Sequence, residues 1–283
     1  MNASGTSPVQ RRSLRATVAG VAAIAVVLLG GSSATAASVP NSMASVGDSI
    51  TRAYNTGSAF ADNPAGSWST GTSSTVVSHY TRLLALNPAI SGHAFNDAKS
   101  GALMVDLAGQ LATAASQHVD YVTILMGGND VCQPSEAAMT PVATFEGQFS
   151  SALASFTAAS PATSVYVVSL PNVRNLWSAL KGNALARFVW ALGSVCPSML
   201  ARPLSTTQSD EDRRARVLQR EIDYNAALAR ICAQYVQCRF DGNAVFGITF
   251  TASDVSTRDY FHPSLAGQKK LAAVSWTAGS WGP

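Results

Sequence analysis

The chain has 283 residues, of which 47% are hydrophobic and 12% are charged. This length accommodates one sizeable α/β domain, and the abundance of apolar residues excludes a wholly disordered chain. Residues 1–37 hold three of the 19 basic residues and no acid, so the remaining 16 basic residues equal the 16 acidic ones. A formally neutral remainder does not favour binding to nucleic acid or to an anionic membrane surface.

The N-terminus has the pattern of an export signal. Basic residues precede an apolar run over 18–29, and small residues over 34–36 fit a cleavage site. The adjacent Arg11 and Arg12 also resemble a twin-arginine signal. The apolar run is shorter than the roughly 20 residues that a membrane span needs.

We therefore expect a cleaved signal peptide over residues 1–37 and a single domain over residues 38–283. The protein is expected to be secreted and extracellular, with no stable membrane anchor. A retained N-terminal anchor is the alternative.

Apolar runs bounded by turn residues predict buried strands of a parallel sheet. The predicted strands are, in chain order, 43–47, 93–96, 121–126, 165–170 and 236–240. The segments between them predict helices at 77–86, 104–115 and 145–156, and from about Asp210 onwards. Strands that alternate with helices in this way predict an α/β fold.

The helix predicted from about Asp210 has an amphipathic pattern. A stripe of mostly apolar residues recurs at intervals of three or four positions: Leu218, Ile222, Asn225, Leu228 and Cys232. Charged residues such as Arg214 and Glu221 fall largely outside this stripe. We expect the stripe to be buried against the sheet.

Two stretches interrupt the alternation of strands and helices. Residues 56–75 are rich in Ser, Thr, Gly and Asn and predict a long surface loop around Trp68. Residues 172–208 are too apolar for an ordinary loop and predict a helical insertion. The insertion is either a wall or lid that receives an acyl chain, or a helix packed on the sheet. The candidate wall residues are Leu185, Phe188 and Trp190.

Four cysteines behind an export signal predict two disulfides. Three pairings are possible, and we expect Cys232 with Cys238, which closes a short loop, and Cys132 with Cys196. The longer loop gains on the order of 4 kcal/mol in the chain-entropy model. Free, buried thiols are the alternative, and no spacing indicates a zinc site.

Four polar motifs follow predicted strands or precede the final helix. They are Gly47-Asp48-Ser49, Ser100-Gly101, Gly128-Asn129-Asp130 and Asp259-Tyr260-Phe261-His262. Ligands of open parallel sheets bind at the carboxyl ends of the strands. We therefore expect the motifs to converge there.

The residue types in these motifs suit nucleophilic acyl transfer. A serine hydroxyl becomes nucleophilic when a neighbouring base takes its proton, and His262 can act on Ser49 in this way. Asp259 would hold the tautomer of the His262 imidazole and stabilise its charged form. The backbone N–H groups of Ser49 and Gly101 and the side-chain amide of Asn129 are candidate donors to the oxyanion of the intermediate.

The four motifs, in this order, resemble those of the SGNH (GDSL) hydrolases, and the resemblance covers residues 45–271. It implies a three-layer α/β/α sandwich with a flavodoxin-like parallel sheet of about five strands. It implies a catalytic triad of Ser49, His262 and Asp259, with Ser49, Gly101 and Asn129 as the oxyanion hole. The chain is most similar to the secreted bacterial esterase and lipase type, which implies no metal or organic cofactor.

We expect a monomeric serine ester hydrolase that cleaves lipid or other acyl esters through an acyl-enzyme. One alternative is a carbohydrate-ester deacetylase, with an open polar groove lined by the Trp68 loop. Another alternative is a secreted binding module that keeps the scaffold without the activity.

Other polar residues have structural interpretations. Asp48 and Asp130 are expected to accept hydrogen bonds from loop N–H groups. His79, His93 and His118 lack partners at motif spacing and are predicted to lie at the surface or in loops.

Overall fold

A computed structural model of the chain describes residues 1–6, 8, 38–279 and 281. The contacts within the chain divide it into two units, Met1–Ala36 and Ala37–Pro283. The apolar run and the cleavage site of the predicted signal peptide lie outside the described residues.

Five parallel strands form one sheet in the order β2-β1-β3-β4-β5. Their bounds are Met43–Gly47 for β1, Ala94–Asn96 for β2, Tyr121–Leu125 for β3, Ser164–Val167 for β4 and Cys238–Phe240 for β5. Met43 pairs with Ala94 on one side and with Tyr121 on the other. This strand order is that of flavodoxin-like folds. The predicted fold class is confirmed.

Helices cover both faces of the sheet. Their bounds are His79–Leu86 for α1, Leu107–Ser116 for α2, Gly128–Val131 for α3, Val142–Ala159 for α4, Val173–Leu180 for α5, Ala184–Leu192 for α6, Pro197–Leu200 for α7, Gln208–Cys232 for α8 and Leu265–Ala278 for α9. Single 3₁₀ turns lie at Pro64–Gly66, Pro88–Ile90, Met104–Asp106, Glu136–Ala138 and Ala252–Asp254.

Successive strand residues point to opposite faces, which creates two hydrophobic cores. Ala44 and Val46 of β1 face the core that contains α2, α4 and α8. Met43 faces the second core, where Leu83 of α1 and Leu271 of α9 are buried. Both faces of the sheet are covered, which explains why its strands are nearly continuous apolar runs.

The predicted surface loop over residues 56–75 is only partly at the surface: residues 57–60 are exposed, but residues 66–71 are buried and Trp68 lies in the second core. Hydroxyl groups of this segment pair with hydroxyl groups of the sheet. Ser69 Oγ lies 2.7 Å from Thr123 Oγ1, and Thr70 Oγ1 lies 3.1 Å from Ser45 Oγ. Serine and threonine therefore mark an interior polar seam here, and the expectation that Trp68 lines an open groove is wrong.

His79 is also buried, contrary to the predicted surface or loop position. Its Nε2 lies 2.8 Å from Ser275 Oγ, and its Nδ1 lies 3.2 Å from the Tyr121 hydroxyl. Ser275 donates its own hydrogen to the Leu271 carbonyl, so Nε2 carries the proton and Nδ1 accepts from Tyr121. Burial, reinforced by the charge of Arg82, lowers the pKa of His79 to about 3.

The buried face of α8 follows the predicted stripe in part, because the stripe residues Asn225, Leu228 and Cys232 are buried as expected. Ile222 is 40% exposed, whereas Arg214 and Glu221 are completely buried. Arg214 lies over the ring of Trp177 at 4.6 Å and pairs with Glu211 at 2.7 Å. The first half of α8 is covered by the insertion as well as by the sheet, so charged side chains become interior there.

The segment 172–208 is a helical insertion, as predicted, and consists of α5, α6 and α7. A disulfide between Cys132 and Cys196 joins the end of α3 to the start of α7. A second disulfide joins Cys232, at the end of α8, to Cys238 at the start of β5. Both predicted pairings are confirmed.

The buried imidazole makes stability depend on pH. The folded pKa of His79 lies below the ordinary value of 6.5, so its contribution is complete above pH 6.5 and is lost as the pH falls towards 3. Between pH 7 and pH 4, we expect the wild type to lose about 3 kcal/mol more of its free energy of unfolding than His79→Gln. Urea unfolding at each pH measures this difference. His93→Gln, which changes an exposed imidazole, is the control and should follow the wild type.

Candidate active site

The polar motifs after β1 and β3 lie side by side because the two strands are paired. Gly47, the last residue of β1, stands opposite Leu125, the last residue of β3. Gly47 has a φ of +149°, and a Cβ there would lie 2.3 Å from the Leu125 carbonyl oxygen. Glycine therefore lets the chain leave β1 towards Ser49 while β3 stays close. The sheet order reverses between these two strands, which is where such sheets bind ligands.

Ser49, His262 and Asp259 form a continuous series of hydrogen bonds. Ser49 Oγ lies 2.7 Å from His262 Nε2, and His262 Nδ1 lies 2.6 Å from Asp259 Oδ2. Ser49 is 7% exposed and lines a pocket together with His262. With Nδ1 donating to the carboxylate, Nε2 is the nitrogen that can accept the proton of the serine hydroxyl.

The Asp259 carboxylate accepts four hydrogen bonds. Its Oδ1 accepts from the N–H groups of Phe261 at 2.9 Å and His262 at 3.0 Å. Its Oδ2 accepts from His262 Nδ1 and from Asn55 Nδ2, the latter at 2.5 Å. Burial raises the pKa of this carboxyl, but the hydrogen bonds from His262 and Asn55 and the charge of His262 outweigh burial and lower the pKa overall. The carboxylate therefore stays ionised beside the imidazole.

Asn55 belongs to this site although no motif marks it. Its backbone carbonyl accepts from Ser256 Oγ at 2.8 Å, and its side-chain Oδ1 accepts from the Phe60 N–H at 2.5 Å. Asn55 has a φ of +61°, a conformation that asparagine tolerates better than most residues. It ties the turn that follows Ser49 to the loop that carries Asp259.

Of the three predicted oxyanion donors, Asn129 and Gly101 belong to neighbouring segments that follow β3 and β2. Asn129 sits in α3 and lines the same pocket as Ser49. Asn129 Nδ2 donates to the Ala102 carbonyl at 2.9 Å, which fixes the amide and leaves its second hydrogen for another acceptor. Gly101 is exposed, has a φ of +82° and precedes Ala102. Gly101 is not part of the pocket lining.

Two buried carboxylates shape the turns around Ser49. Asp48 Oδ1 accepts from the Ile50 N–H at 2.9 Å, and Asp130 Oδ2 accepts from the Met104 N–H at 2.9 Å. Burial raises the pKa of Asp48 to about 6, although the hydrogen bond from Ile50 and the charge of His262 oppose this. Burial also raises the pKa of Asp130. Both carboxylates accept loop N–H groups, as the sequence predicted.

The pocket beside Ser49 is mainly apolar. Its apolar side chains are Ile50, Pro171, Val173, Leu176, Phe250, Val255, Phe261 and Pro263. They come from the turn after β1, from the loop after β4, from α5 and from the segment before the final helix. Sequence reasoning did not single out any of these side chains as lining residues.

The three predicted wall residues of the insertion do not line this pocket. Leu185 and Phe188 are each 63% exposed, and Trp190 is 3% exposed. Trp190 Nε1 donates to the Tyr260 carbonyl at 2.9 Å, so its ring packs behind the catalytic loop. The expectation that these side chains line the acyl pocket is wrong, because two of them face solvent and Trp190 is buried behind Tyr260. The residues of the insertion that line the pocket are Asn172, Val173 and Leu176.

Two polar side chains of α8 hold the pocket wall in place. Asn225 Oδ1 accepts from the Leu170 N–H at 2.9 Å, and Glu221 Oε1 accepts from the Val173 N–H at 3.1 Å. Burial raises the pKa of Glu221 to about 8, and the bond from Val173 opposes the rise. The wall formed by the loop before α5 thus depends on polar groups of a helix behind it.

Across the residues that the structure describes, no three His, Cys, Asp or Glu side chains are grouped as a metal site. No helix in this part of the chain has both the length and the apolar character needed to cross a bilayer.

Comparison of the sequence with known families gives one match over most of the chain. The family described as GDSL-like lipase/acylhydrolase matches residues 43–274. The chain belongs to this family. The matched region begins at β1, ahead of Ser49, and extends into α9, beyond His262. The resemblance to the GDSL hydrolases is confirmed.

Solved structures of similar fold include lipases and esterases. The extracellular lipase from Streptomyces rimosus is 20% identical, with a TM-score of 0.50 over 84% of this chain and 99% of that chain. Phospholipase A1 from Streptomyces albidoflavus NA297 is 20% identical, with a TM-score of 0.48 over 80% and 94% of the two chains. A carbohydrate esterase is 13% identical, with a TM-score of 0.44 over 85% and 70%. No functionally curated protein matches the sequence significantly.

The link between Asn55 and Asp259 predicts a positioning role. Replacing Asn55 by Gly removes the hydrogen bond but tolerates the positive φ. A hydrogen bond to a charged group contributes about 1.5–3 kcal/mol, so we expect kcat for a soluble ester to fall at least about tenfold with little change in KM. Asn243→Gly is the matched control, because Asn243 is exposed and has a φ of +68°. Equal turnover of the two variants would exclude the role.

Proposed function

We propose that the protein hydrolyses carboxylic esters with Ser49 as the nucleophile, His262 as the general base and Asp259 as the orienting acid. The observation that carries this proposal is the 2.7 Å contact between Ser49 Oγ and His262 Nε2. The two atoms are within hydrogen-bond distance, as a general base and the hydroxyl group that it deprotonates must be.

The first half of the reaction acylates the serine. His262 Nε2 takes the hydroxyl proton while Ser49 Oγ bonds to the carbonyl carbon of the ester. The carbonyl oxygen becomes an oxyanion, which the side-chain amide of Asn129 and the N–H groups of Ser49 and Gly101 stabilise. Donors of this kind contribute about 2.7–4 kcal/mol each. The bond to the leaving alcohol then breaks, and His262 returns the proton to that alcohol.

The second half releases the acid. Water gives a proton to His262 and attacks the acyl carbon, and the bond to Ser49 Oγ breaks as the serine recovers its proton. Asp259 remains ionised throughout, because its hydrogen bonds keep its pKa low. Its negative charge stabilises the imidazolium in both halves.

The pocket lining favours acyl or lipid esters as substrates. Apolar side chains such as Leu176 and Phe250 lie beside the nucleophile, where each buried methylene of a substrate gains about 0.8 kcal/mol. A carbohydrate-ester deacetylase was expected to use a polar groove lined by the Trp68 loop, but Trp68 is buried in the second core.

We also propose that the protein is exported, with residues 1–37 as a cleaved signal peptide. The two disulfides support this proposal, because such bonds form and persist in oxidising compartments.

Loss of the nucleophile or of the base tests the reaction. Ser49→Ala and His262→Ala are expected to lower the hydrolysis of p-nitrophenyl butyrate by about 10⁴-fold or more, with unchanged circular dichroism. A fluorophosphonate probe should label the wild type and not Ser49→Ala. Ser91→Ala, at an exposed serine, should be labelled like the wild type. Labelling of Ser49→Ala, or no labelling of the wild type, would exclude the proposed nucleophile.

A chain-length series of p-nitrophenyl esters tests the acyl pocket. For each variant, kcat/KM for the hexanoate ester is divided by kcat/KM for the acetate ester. This ratio is expected to fall about tenfold in Leu176→Ala, which corresponds to lost contact with about two methylenes. Leu180→Ala is the matched control, because Leu180 is buried in the same helix but does not line the pocket. An equal ratio in both variants would contradict the assignment, and an acetate preference of the wild type would favour the deacetylase.

A further inference from the structure

The helix α6 exposes an apolar face to solvent. Its single polar residue is Arg187, and its exposed positions are Ala184, Leu185, Phe188, Ala191 and Leu192. The three large side chains are 63%, 63% and 77% exposed. They follow one another at three- and four-residue steps, which places them on one side of the helix. A helix that is apolar nearly all round is normally buried, so this face requires an explanation.

The opposite face of α6 attaches it next to the catalytic loop. Ala186 and Trp190 are buried, and Trp190 Nε1 donates to the carbonyl of Tyr260, the residue that follows Asp259. Asn183 caps the helix by accepting from the Ala186 N–H at 3.1 Å. The exposed apolar side chains are therefore held on a fixed helix beside the catalytic centre.

The segment that carries this face is positively charged. Lys181 Nζ lies 4.0 Å from the centre of the Trp177 ring, and Arg187 donates to the Lys181 carbonyl at 2.9 Å. Residues 173–193 contain Arg174, Lys181 and Arg187 and no acidic residue. Arg174 lies 3.8 Å from Glu211, whereas no ion pair of Lys181 or Arg187 occurs within residues 38–279. The formal neutrality of residues 38–283 thus conceals a local cationic segment. Apolar side chains next to Lys and Arg are the composition of helices that lie in a lipid–water interface.

We propose that α6 docks the protein on an aggregated lipid surface with anionic headgroups. Leu185, Phe188 and Leu192 enter the boundary of the acyl chains, and Lys181 and Arg187 lie beside the headgroups. The inference rests on the proposed function in one respect: docking would bring the catalytic loop to a lipid ester substrate. Docking itself does not require turnover and can be measured separately.

A lipid surface fits this face better than a second copy of the chain. A helix of nine residues is about 14 Å long, and one side of it supplies much less than the roughly 800 Å² per partner of a stable interface. An anionic lipid surface has the complementary charge and needs no matching shape.

Vesicle binding tests the proposal. The probes are vesicles of phosphatidylglycerol and vesicles of phosphatidylcholine, and bound protein is measured by sedimentation. The double variant Phe188→Gln/Leu192→Gln should bind phosphatidylglycerol vesicles at least ten times more weakly than the wild type and should hydrolyse soluble p-nitrophenyl butyrate at the wild-type rate. Arg187→Gln should weaken binding to phosphatidylglycerol and leave binding to phosphatidylcholine unchanged.

The matched control is Leu86→Gln/Val236→Gln. Leu86 and Val236 are 56% and 102% exposed but precede β2 and β5, at the edge of the sheet opposite to the catalytic residues. This control should bind vesicles like the wild type. All proteins carry the same N-terminus, so its contribution is common to all of them.

Three results would overturn docking through α6. The first is equal vesicle binding by the α6 double variant and the wild type, and the second is an equal loss of vesicle binding in the control variant. The third is a wild-type dimer in light scattering that the α6 double variant dissociates without any change in vesicle binding. Failure of the proposed function gives a different result, because a wild type without soluble esterase activity could still bind vesicles.

Discussion

The hydrogen bond between Ser49 and His262 joins two residues that are 213 positions apart in the chain, and the site depends on this contact. The parallel sheet fixes one end, because β1 delivers Ser49 at its carboxyl edge. The other end is held by the turn around Asn55, which binds Asp259 and Ser256. The antiparallel bridge between Val255 and Pro263 closes the same loop at its base. The hydroxyl and the imidazole therefore meet in a preset geometry.

Three buried carboxylates near Ser49 differ in the number of hydrogen-bond donors that they receive. Asp259 accepts four hydrogen bonds, two of them involving the imidazole residue, and its pKa is lowered. Asp48 and Asp130 are held mainly by backbone and hydroxyl groups, and burial raises the pKa of each. The carboxylate that faces the imidazole therefore has the lowest pKa of the three. Its hydrogen-bond donors and the charge of His262, and not the residue type, cause this difference.

Much of the architecture could be predicted because it depends on local signals. In a sheet that is covered on both faces, each strand is an apolar run. The motifs follow these runs directly, so they lie at the carboxyl ends of the strands. The predicted β4 ended three residues beyond its observed last residue, Val167, because the apolar run of the sequence continues into the pocket wall. The triad and the asparagine donor could be proposed from the motifs, which place chemistry at short spacing.

The interior polar contacts could not be predicted, because each depends on a distant partner. Trp68 and His79 are buried by α9 and the sheet, whose hydroxyl groups satisfy the polar segment around them. Glu221 is interior because α5 lies over α8 and offers the Val173 N–H. A residue pattern reports periodicity but not which neighbour covers a face. For the same reason, the sequence could not show that Phe188, a candidate wall residue, is exposed to solvent on α6.

The disulfide between Cys132 and Cys196 has a mechanical consequence for the pocket. It fastens the short helix that bears Asn129 to the start of α7, and Ser198 adds hydrogen bonds to Val131 and Gln133 across the same junction. A large swing of the insertion would therefore displace Asn129 relative to Ser49. Motions that keep these two residues together must leave this junction intact.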